Sequence, residues 1–261
     1  MEEAEFFEEL SILTRVLFSC ALLIIAGFIF CAAVKLPLPC FDNETVKLAG
    51  LSLPMPRPSG FRWRTLTNAF FEYALMWAPS GSRVIALSPG GPFGAYLNVS
   101  AALGCFLVFP FVAYRLVRYV EPALYEHEKR ALRRWLPYVL VHPYIGVAYG
   151  LLVVGPMSMS ALSRWGMWVL PSETVYAVEY IVNFLVGVTA MTAALFCLPP
   201  LALFSVKVGI ITRRDVRRNR HLLYLAVFLL VLVIDNEPFL ICETLVTAGL
   251  AVLMEIAIRK M

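Results

Sequence analysis

Hydrophobic residues in this chain fall into long runs that are separated by short polar segments. Six runs are predicted to form helices, which cover residues 12–34, 99–117, 135–154, 180–206, 221–234 and 239–258. A helix needs about 20 apolar residues to cross the hydrocarbon core of a bilayer. Five runs meet this length, whereas the fifth, with 14 residues, reaches only about 21 Å. The pattern predicts an all-α membrane protein: one domain, residues 1–261, with a bundle of six transmembrane helices of which the fifth and sixth are short.

Composition agrees with a membrane protein. The chain is 60% hydrophobic and 15% charged, with a mean hydropathy of +0.77, whereas soluble domains are about 45–50% apolar. The net charge of +4 fits contact with anionic lipid headgroups better than contact with nucleic acid. Glutamine is absent, which is typical of a thermophilic source. We therefore expect a multi-pass membrane protein, with a thermophile as a candidate source.

Basic residues predict the orientation of the bundle. The short loops at residues 115–134 and 207–220 are rich in arginine and lysine, whereas the loop at 155–179 has only Arg164. The positive-inside rule then puts both termini in the cytoplasm and the long loop at 35–98 outside. An apolar amphipathic run in that loop, "LTNAFFEYALMWA", is expected at the outer end of the bundle.

Motifs of catalysis and of metal or cofactor binding are missing from the sequence. The chain has three histidines, and it contains no HExxH, no GxSxG, no phosphate-binding loop and no cysteine pair with zinc spacing. We expect no enzyme activity, no metal and no cofactor. A secondary transporter is the alternative, with Glu243 and Asn183 at its ion site, but neither an internal repeat nor paired broken helices are apparent.

Three glutamates lie in the basic loop "YVEPALYEHEKRALRR". Glu126 is expected to pair with Lys129 and Arg130 at helical spacing. Glu121 precedes a proline and is a candidate helix cap, since a carboxylate suits the positive end of a helix. Glu128 follows Glu121 by seven residues, so two helical turns would place both on one face if the segment is helical. Such carboxylates either pair with neighbouring arginines or bind a guanidinium group of a cationic peptide.

The N-terminal segment is acidic and is predicted to face the same side of the membrane as this loop. It carries five glutamates and a few apolar residues that would hold it at the interface: Glu2, Glu3, Glu5, Glu8, Glu9, Phe6, Phe7 and Leu10. The segment is either a solvated tail or a second acidic wall of a site for a cationic peptide.

The motifs "FPFVAYRLVRYVEPALYEHEKR", "GVAYGLLVVGP" and "GIITRRDVRRNR", in this order, resemble the TatC family, the core membrane subunit of the twin-arginine protein translocase. The resemblance covers nearly the whole chain. It implies six helices and a receptor for signal peptides with paired arginines, which acts on folded cargo without ATP and draws on the proton-motive force. It also implies a TatA-type single-span partner and self-association, and it leaves a TatB-type partner open.

The same resemblance assigns roles to individual residues. It makes Glu128 the main carboxylate for the arginine pair, with Glu9 as its partner from the N-terminal segment. Around them, the expected signal-peptide pocket also includes Tyr119, Glu121, Leu124 and Tyr125.

Several positions depart from the family pattern. Phe6 stands where the family has histidine, and Ser11 stands where it has the first arginine. The acidic position of helix four falls at Cys197 in "FCLPP", beside Pro199. Glu243 stands where the family commonly has glutamine. Our hypothesis is that Glu243 supplies the intramembrane polar contact that Cys197 cannot, and that this region docks the partner helix.

Overall fold

The computed structural model describes residues 2–48, 51–78, 83–169, 175–208, 220–234 and 241–260. The nine helices of these ranges are α1 (Glu2–Ala33), α2 (Leu66–Met76), α3 (Gly91–Val120), α4 (Glu126–Tyr149), α5 (Gly155–Val169), α6 (Val178–Leu195), α7 (Leu198–Val208), α8 (Arg220–Ile234) and α9 (Ile241–Lys260). The strands are β1 (Lys35–Leu48), β2 (Leu51–Thr65), β3 (Arg83–Ile85) and β4 (Val175–Ala177). The predicted loop at 207–220 and the predicted turn between helices five and six lie largely outside the described residues.

The bundle has two ends, which we call the basic end and the hairpin end. The basic end is the end where α3 passes into α4, at residues 115–134. The hairpin end is the opposite one, where β1 and β2 pair as an antiparallel hairpin and β3 pairs with β4 in parallel. Four helical stretches are long and apolar enough to cross a membrane, namely Ser11–Ala33, Gly91–Ala123, Leu132–Gly166 and Val178–Val206.

The first two spans, in α1 and α3, cross closely because two glycines meet at the crossing. A Cβ added to Gly104 would lie 2.6 Å from the backbone nitrogen of Phe28, and one added to Gly27 would lie 2.5 Å from Val108. Small residues let the backbones of membrane helices approach, so van der Waals contact holds the pair together. A groove between α1 and α3 opens toward the basic end of this pair.

The third span is longer than predicted and carries an irregular turn. A π-helical segment, Gly150–Val154, joins α4 to α5. Gly150 packs against α6, where a Cβ on it would lie 2.3 Å from the Thr192 hydroxyl oxygen. The π turn leaves the Leu151 carbonyl available to a side chain, and Tyr73 of α2 donates a hydrogen bond to it at 2.7 Å.

The fourth span is interrupted in the half nearer to the basic end, whereas the sequence predicts one helix over residues 180–206. The α6 helix ends at Leu195 and α7 begins at Leu198. Pro199 and Pro200 follow the break and have no backbone N–H to continue the ladder, so the helix tightens into a turn just before them. The Cys197 amide accordingly donates to the Ala194 carbonyl, three residues back, at 3.2 Å.

A polar cluster fixes the hairpin end to the bundle. The Thr67 hydroxyl of α2 donates to the Cys31 carbonyl at 3.0 Å and lies 2.9 Å from the Ser100 hydroxyl of α3. Tyr96 donates to the Ala32 carbonyl at 2.8 Å. These bonds satisfy carbonyls at the end of α1 that the helix itself leaves without a donor. The amphipathic run predicted for the outer end therefore forms α2 and packs against α1, α3 and α6.

Helix bounds differ from the prediction at three starts, the third being α4, which begins at Glu126 rather than near residue 135. The α1 helix begins at Glu2 rather than near residue 12, and α3 begins at Gly91 rather than near residue 99. Pro92 sits in the first turn of α3, where a proline is tolerated because the N–H it lacks would have no partner in the helix. The hydropathy pattern missed these extensions because charged residues, or glycine and proline, interrupt their apolar residues.

Candidate functional site at the basic end

The turn between α3 and α4 is built from a short helical turn and one extended residue. A 3₁₀ turn, Glu121–Ala123, follows α3 directly. Leu124 then adopts an extended conformation, with φ −91° and ψ 146°, and α4 begins at Glu126. The segment is therefore not one continuous helix. A shared face for Glu121 and Glu128 was expected only if the segment is helical, and that condition is not met, because Leu124 interrupts the helix between them.

Two of the three loop glutamates have cationic partners. Arg133 of α4 donates to the Glu121 carboxylate from Nε at 2.9 Å and also from Nη2. Lys129 lies 3.7 Å from the Glu126 carboxylate, as the helical spacing predicts. The Arg130 Nε donates to the Glu126 backbone carbonyl at 3.4 Å.

Glu121 thus lies at the turn, as predicted, but its carboxylate is bonded to Arg133 of the same chain. It is also the residue that ends α3, where its amide donates to the Val117 carbonyl. Its carboxylate lies at the C-terminal end of α3 and connects the 3₁₀ turn to α4 through the bond with Arg133. The expectation that Glu121 caps a helix start is wrong, because Val120 is the N-cap of the 3₁₀ turn and the Glu121 carboxylate bonds Arg133 instead.

The two carboxylates of central interest are placed by their backbones alone. Glu128 belongs to the first turn of α4, and Glu9 belongs to α1, three residues before Ile12. The side chains of both lie outside the described part of the chain. Because α1 and α3 pack along each other, the N-terminal turns of α1 and the turn that carries Glu128 belong to the same end of the bundle.

The remaining predicted pocket residues surround this turn with different exposure. Tyr119 and Leu124 are half-buried, and Tyr125 is 74% exposed. Tyr119 lines a groove of about 1030 Å³ between α1 and α3, with Arg115 and Arg118 at its polar edge. The groove residues that the sequence reasoning missed are Ile12, Val16, Tyr114, Val120, Pro122 and Ala123. Ile12 and Val16 are one helical turn apart on α1, and this spacing could have indicated a shared face.

A second, more polar depression lies beside the groove. This basic recess has a volume of about 470 Å³. It is lined by Arg118, Glu121, Pro122, Glu126, Lys129, Arg130 and Arg133. Arg118 and Pro122 line both depressions, so the recess and the groove are continuous.

The predicted partner-docking residues lie deeper in the bundle. Glu243 is only 1% exposed, and its Oε2 has no hydrogen-bond partner among the described atoms. It lies in the first turn of α9, nearer to the helix start than the sequence indicated. Cys197 lies beyond the end of α6, where its thiol donates weakly to the Ala193 carbonyl at 3.6 Å, and Pro199 is buried. Glu243 and Cys197 therefore sit at different depths, with Glu243 nearer to the hairpin end.

The described residues show no sign of a metal site. His142 lies within α4, and its Nδ1 is 2.6 Å from the Tyr138 carbonyl oxygen, the contact of a packed polar residue. Within the described ranges, no three side chains of histidine, cysteine, aspartate or glutamate cluster as a metal site would require.

Comparison with known proteins identifies a family. A family model described as "Sec-independent protein translocase protein (TatC)" matches residues 8–248. The TatC protein of Aquifex aeolicus is 26% identical over 175 residues, which cover 67% of this chain and 72% of the relative. That of Methanocella arvoryzae is 27% identical over 194 residues, covering 74% and 78%. That of Escherichia coli K12 is 26% identical over 183 residues, covering 69% of each.

Solved structures match the fold along nearly the full length. A crystal structure of the twin arginine translocase receptor TatC superposes with a TM-score of 0.68 at 20% identity, covering 96% of each chain. A second one, in DDM, gives a TM-score of 0.64 and covers 95% of this chain and 98% of the other. These matches confirm the predicted all-α membrane fold class.

Proposed function

Because this chain belongs to the TatC family of translocase proteins, we propose that it is the signal-peptide receptor of a twin-arginine translocase in a cell membrane. In this proposal, signal peptides with paired arginines bind at the basic end, which faces the cytoplasm. The chain then nucleates a complex that moves the folded cargo, driven by the proton-motive force. The work is binding and scaffolding, and no covalent step is assigned to the chain.

One observation carries the proposal, namely the meeting of the α1 N-terminus with the α3–α4 turn. The groove between α1 and α3 has Ile12 of α1 on one side and Tyr119 of α3 on the other. Glu9 precedes Ile12 by one helical turn, and Glu128 follows the turn that continues from Tyr119. The backbones of Glu9 and Glu128 thus belong to the same end of the bundle as the groove. Two carboxylates there would suit two guanidinium groups, because a carboxylate accepts a bidentate pair of hydrogen bonds.

The engagement of the other two loop carboxylates supports the choice of Glu128. Glu121 is bonded to Arg133, and Glu126 is held by Lys129. A peptide guanidinium that bound either of these would compete with a protein cation. Glu128 is therefore the loop carboxylate that we assign to the arginine pair, with Tyr119, Leu124 and Tyr125 as the walls around it.

Export of a folded reporter tests this function. The chain and its TatA-type partner would be expressed in cells without a twin-arginine translocase, together with a reporter that carries a twin-arginine signal. We expect Glu128→Ala to abolish export, whereas the matched control Glu126→Ala keeps it. Equal export by both variants would contradict the assignment, provided that both proteins reach the membrane in equal amounts.

Partner docking is proposed at the buried carboxyl of α9. Glu243 is enclosed by protein, and its Oε2 has no partner in the described structure, an arrangement that costs free energy unless a further polar group arrives. We assign it to the docking of a single-span TatA-type helix. A TatB-type subunit and self-association are further partners of the proposed complex. If Glu243→Ala leaves both export and cross-linking to the partner unchanged, this assignment fails.

A further inference from the structure

The basic recess carries more positive charge than its own carboxylates can neutralise. Its described lining holds four cations and two carboxylates, a net charge of +2. Arg133 is bonded to Glu121, and Lys129 lies beside Glu126. Among the described side chains, Arg118 and Arg130 therefore remain without a carboxylate partner. Both are exposed and stand on different helices, Arg118 in the last turn of α3 and Arg130 near the start of α4.

The neighbouring groove supplies an apolar surface that begins where the recess ends. Arg118 and Pro122 belong to both depressions. From Val120 the groove extends back along α3 to Tyr114, six residues or about 9 Å along the helix axis. Ile12 and Val16 of α1 form its opposite wall. A cationic recess that opens directly into an apolar groove fits a ligand with an anionic head and a hydrocarbon tail.

We propose that this composite surface binds one anionic phospholipid. The phosphate lies between Arg118 and Arg130, and the first part of one acyl chain lies in the groove between α1 and α3. Basic pockets between transmembrane helices bind the head groups of anionic lipids in this way. Arginine suits the phosphate because its guanidinium donates two parallel hydrogen bonds.

The depth of the surface agrees with a lipid ligand. Arg118 is in the last turn of a membrane span, and two tyrosines of the groove, Tyr114 and Tyr119, lie within one turn of it. Tyrosine rings concentrate at the level where head groups meet the hydrocarbon core. The described lining of the recess has a net positive charge and favours an anionic head group. The groove is also part of the proposed signal-peptide site, so the lipid and the peptide compete for it.

Lipid retention by the purified full-length protein tests the proposal. The protein would be exchanged into detergent with phosphatidylglycerol or phosphatidylcholine, and bound lipid would be counted by native mass spectrometry. We expect wild type to retain phosphatidylglycerol preferentially. The double variant Arg118→Gln/Arg130→Gln should lose roughly tenfold in that preference. The matched control Arg134→Gln removes an exposed cation of α4 that lines neither depression and should keep it.

Two further experiments test whether the bound phosphate belongs to a lipid and whether the groove contributes to binding. Inorganic phosphate should not displace the lipid, because it has no chain to fill the groove; displacement would show a site for free phosphate and overturn the proposal. Filling the groove by Val16→Trp should reduce retention of phosphatidylglycerol while Arg118 and Arg130 are intact. Equal retention of both lipids by wild type, or an equal loss with Arg134→Gln, would also overturn the proposal. The charge-conserving variant Arg118→Lys/Arg130→Lys should keep part of the preference, which separates loss of charge from loss of fold.

Discussion

The bond between Glu121 and Arg133 shapes the basic end at the scale of single residues. It joins the 3₁₀ turn after α3 to the second turn of α4 through two nitrogens of one guanidinium group. Arg133 is 75% exposed, so solvent screens the pair, and it adds at most about 1 kcal/mol to stability. If the chain binds signal peptides as proposed, the larger effect of this pair is on binding, because Arg133 pairs with a carboxylate that a cationic peptide would otherwise meet alone.

Peptide affinity should therefore distinguish two glutamates of the same loop. We expect Glu128→Gln to remove a charge-assisted contact and to weaken binding of a twin-arginine peptide by roughly 10- to 100-fold. Glu121→Gln should weaken it by less than about fivefold, since Arg133 already pairs with its carboxylate. Fluorescence anisotropy with a labelled peptide and purified protein gives both dissociation constants. A larger loss with Glu121→Gln would refute the division of roles.

At the scale of elements, the crossing of α1 and α3 sets the shape of the groove. Gly27 and Gly104 bring the two backbones together toward the middle of the helices. From this contact the helices continue to the basic end, where Ile12 and Tyr119 line the groove. The width of the site thus depends on a contact more than one turn away from it.

A matched pair of glycine variants tests the crossing. In Gly104→Ala the new methyl group would lie 2.6 Å from the Phe28 nitrogen, a backbone atom that cannot move alone. We expect a loss of about 1–3 kcal/mol in stability through overpacking, and a lower melting temperature in detergent. Gly94→Ala, on the same helix with no atom within 4 Å of the added carbon, should leave the melting temperature unchanged or raise it slightly. Equal shifts for both would contradict close packing at Gly104.

The sequence predicts these elements well where the cause lies in neighbouring residues of the chain. It predicts them less well where contacts between separate helices determine the structure. Long apolar runs place the spans, and the spacing of Glu126 and Lys129 predicts their contact. The break before Pro199 was also readable in principle, because proline removes a backbone donor. The π turn at Gly150 was not readable, since it arises from close contact with Thr192 of another helix. The pairing of Glu121 with Arg133 depends on the path of the turn between them, which spacing along the chain does not encode.

For the whole molecule, the hairpin end is joined to the bundle by a few side-chain bonds rather than by a large apolar surface alone. Tyr73 connects α2 to the π turn of the third span through the Leu151 carbonyl. Thr67 connects α2 to α1 through the Cys31 carbonyl. These bonds hold α2 against the spans, and they keep the α1–α3 pair, which forms the site, in one position relative to the third and fourth spans.

Loss of the Tyr73 hydroxyl should loosen this connection. Tyr73→Phe leaves the Leu151 carbonyl without its donor, which costs about 1–3 kcal/mol of stability. Burial raises the pKa of Tyr73 to about 12 from 10. The neutral phenol is therefore favoured in the folded state, and its contribution is complete below pH 10 and is lost as pH rises through about 12.

Thermal unfolding in detergent between pH 7 and pH 12 measures both effects. The wild-type melting temperature should fall above pH 10 by more than that of Tyr73→Phe, because only wild type has this phenol to ionise. Tyr180→Phe is the control, since Tyr180 is exposed at the same end. Identical pH dependence of wild type and Tyr73→Phe would rule out a buried, bonded phenol at this position.

The central claim is that the basic end binds paired guanidinium groups through Glu128. Its most direct test is site-specific photocross-linking of a labelled signal peptide to the protein in membranes. Twin-arginine and twin-lysine peptides would each be compared on wild type and on Glu128→Ala. Lysine cannot reproduce the bidentate fork of arginine, so a cross-link should form only between the twin-arginine peptide and wild type. Equal cross-linking in all four combinations would contradict a receptor that reads paired arginines.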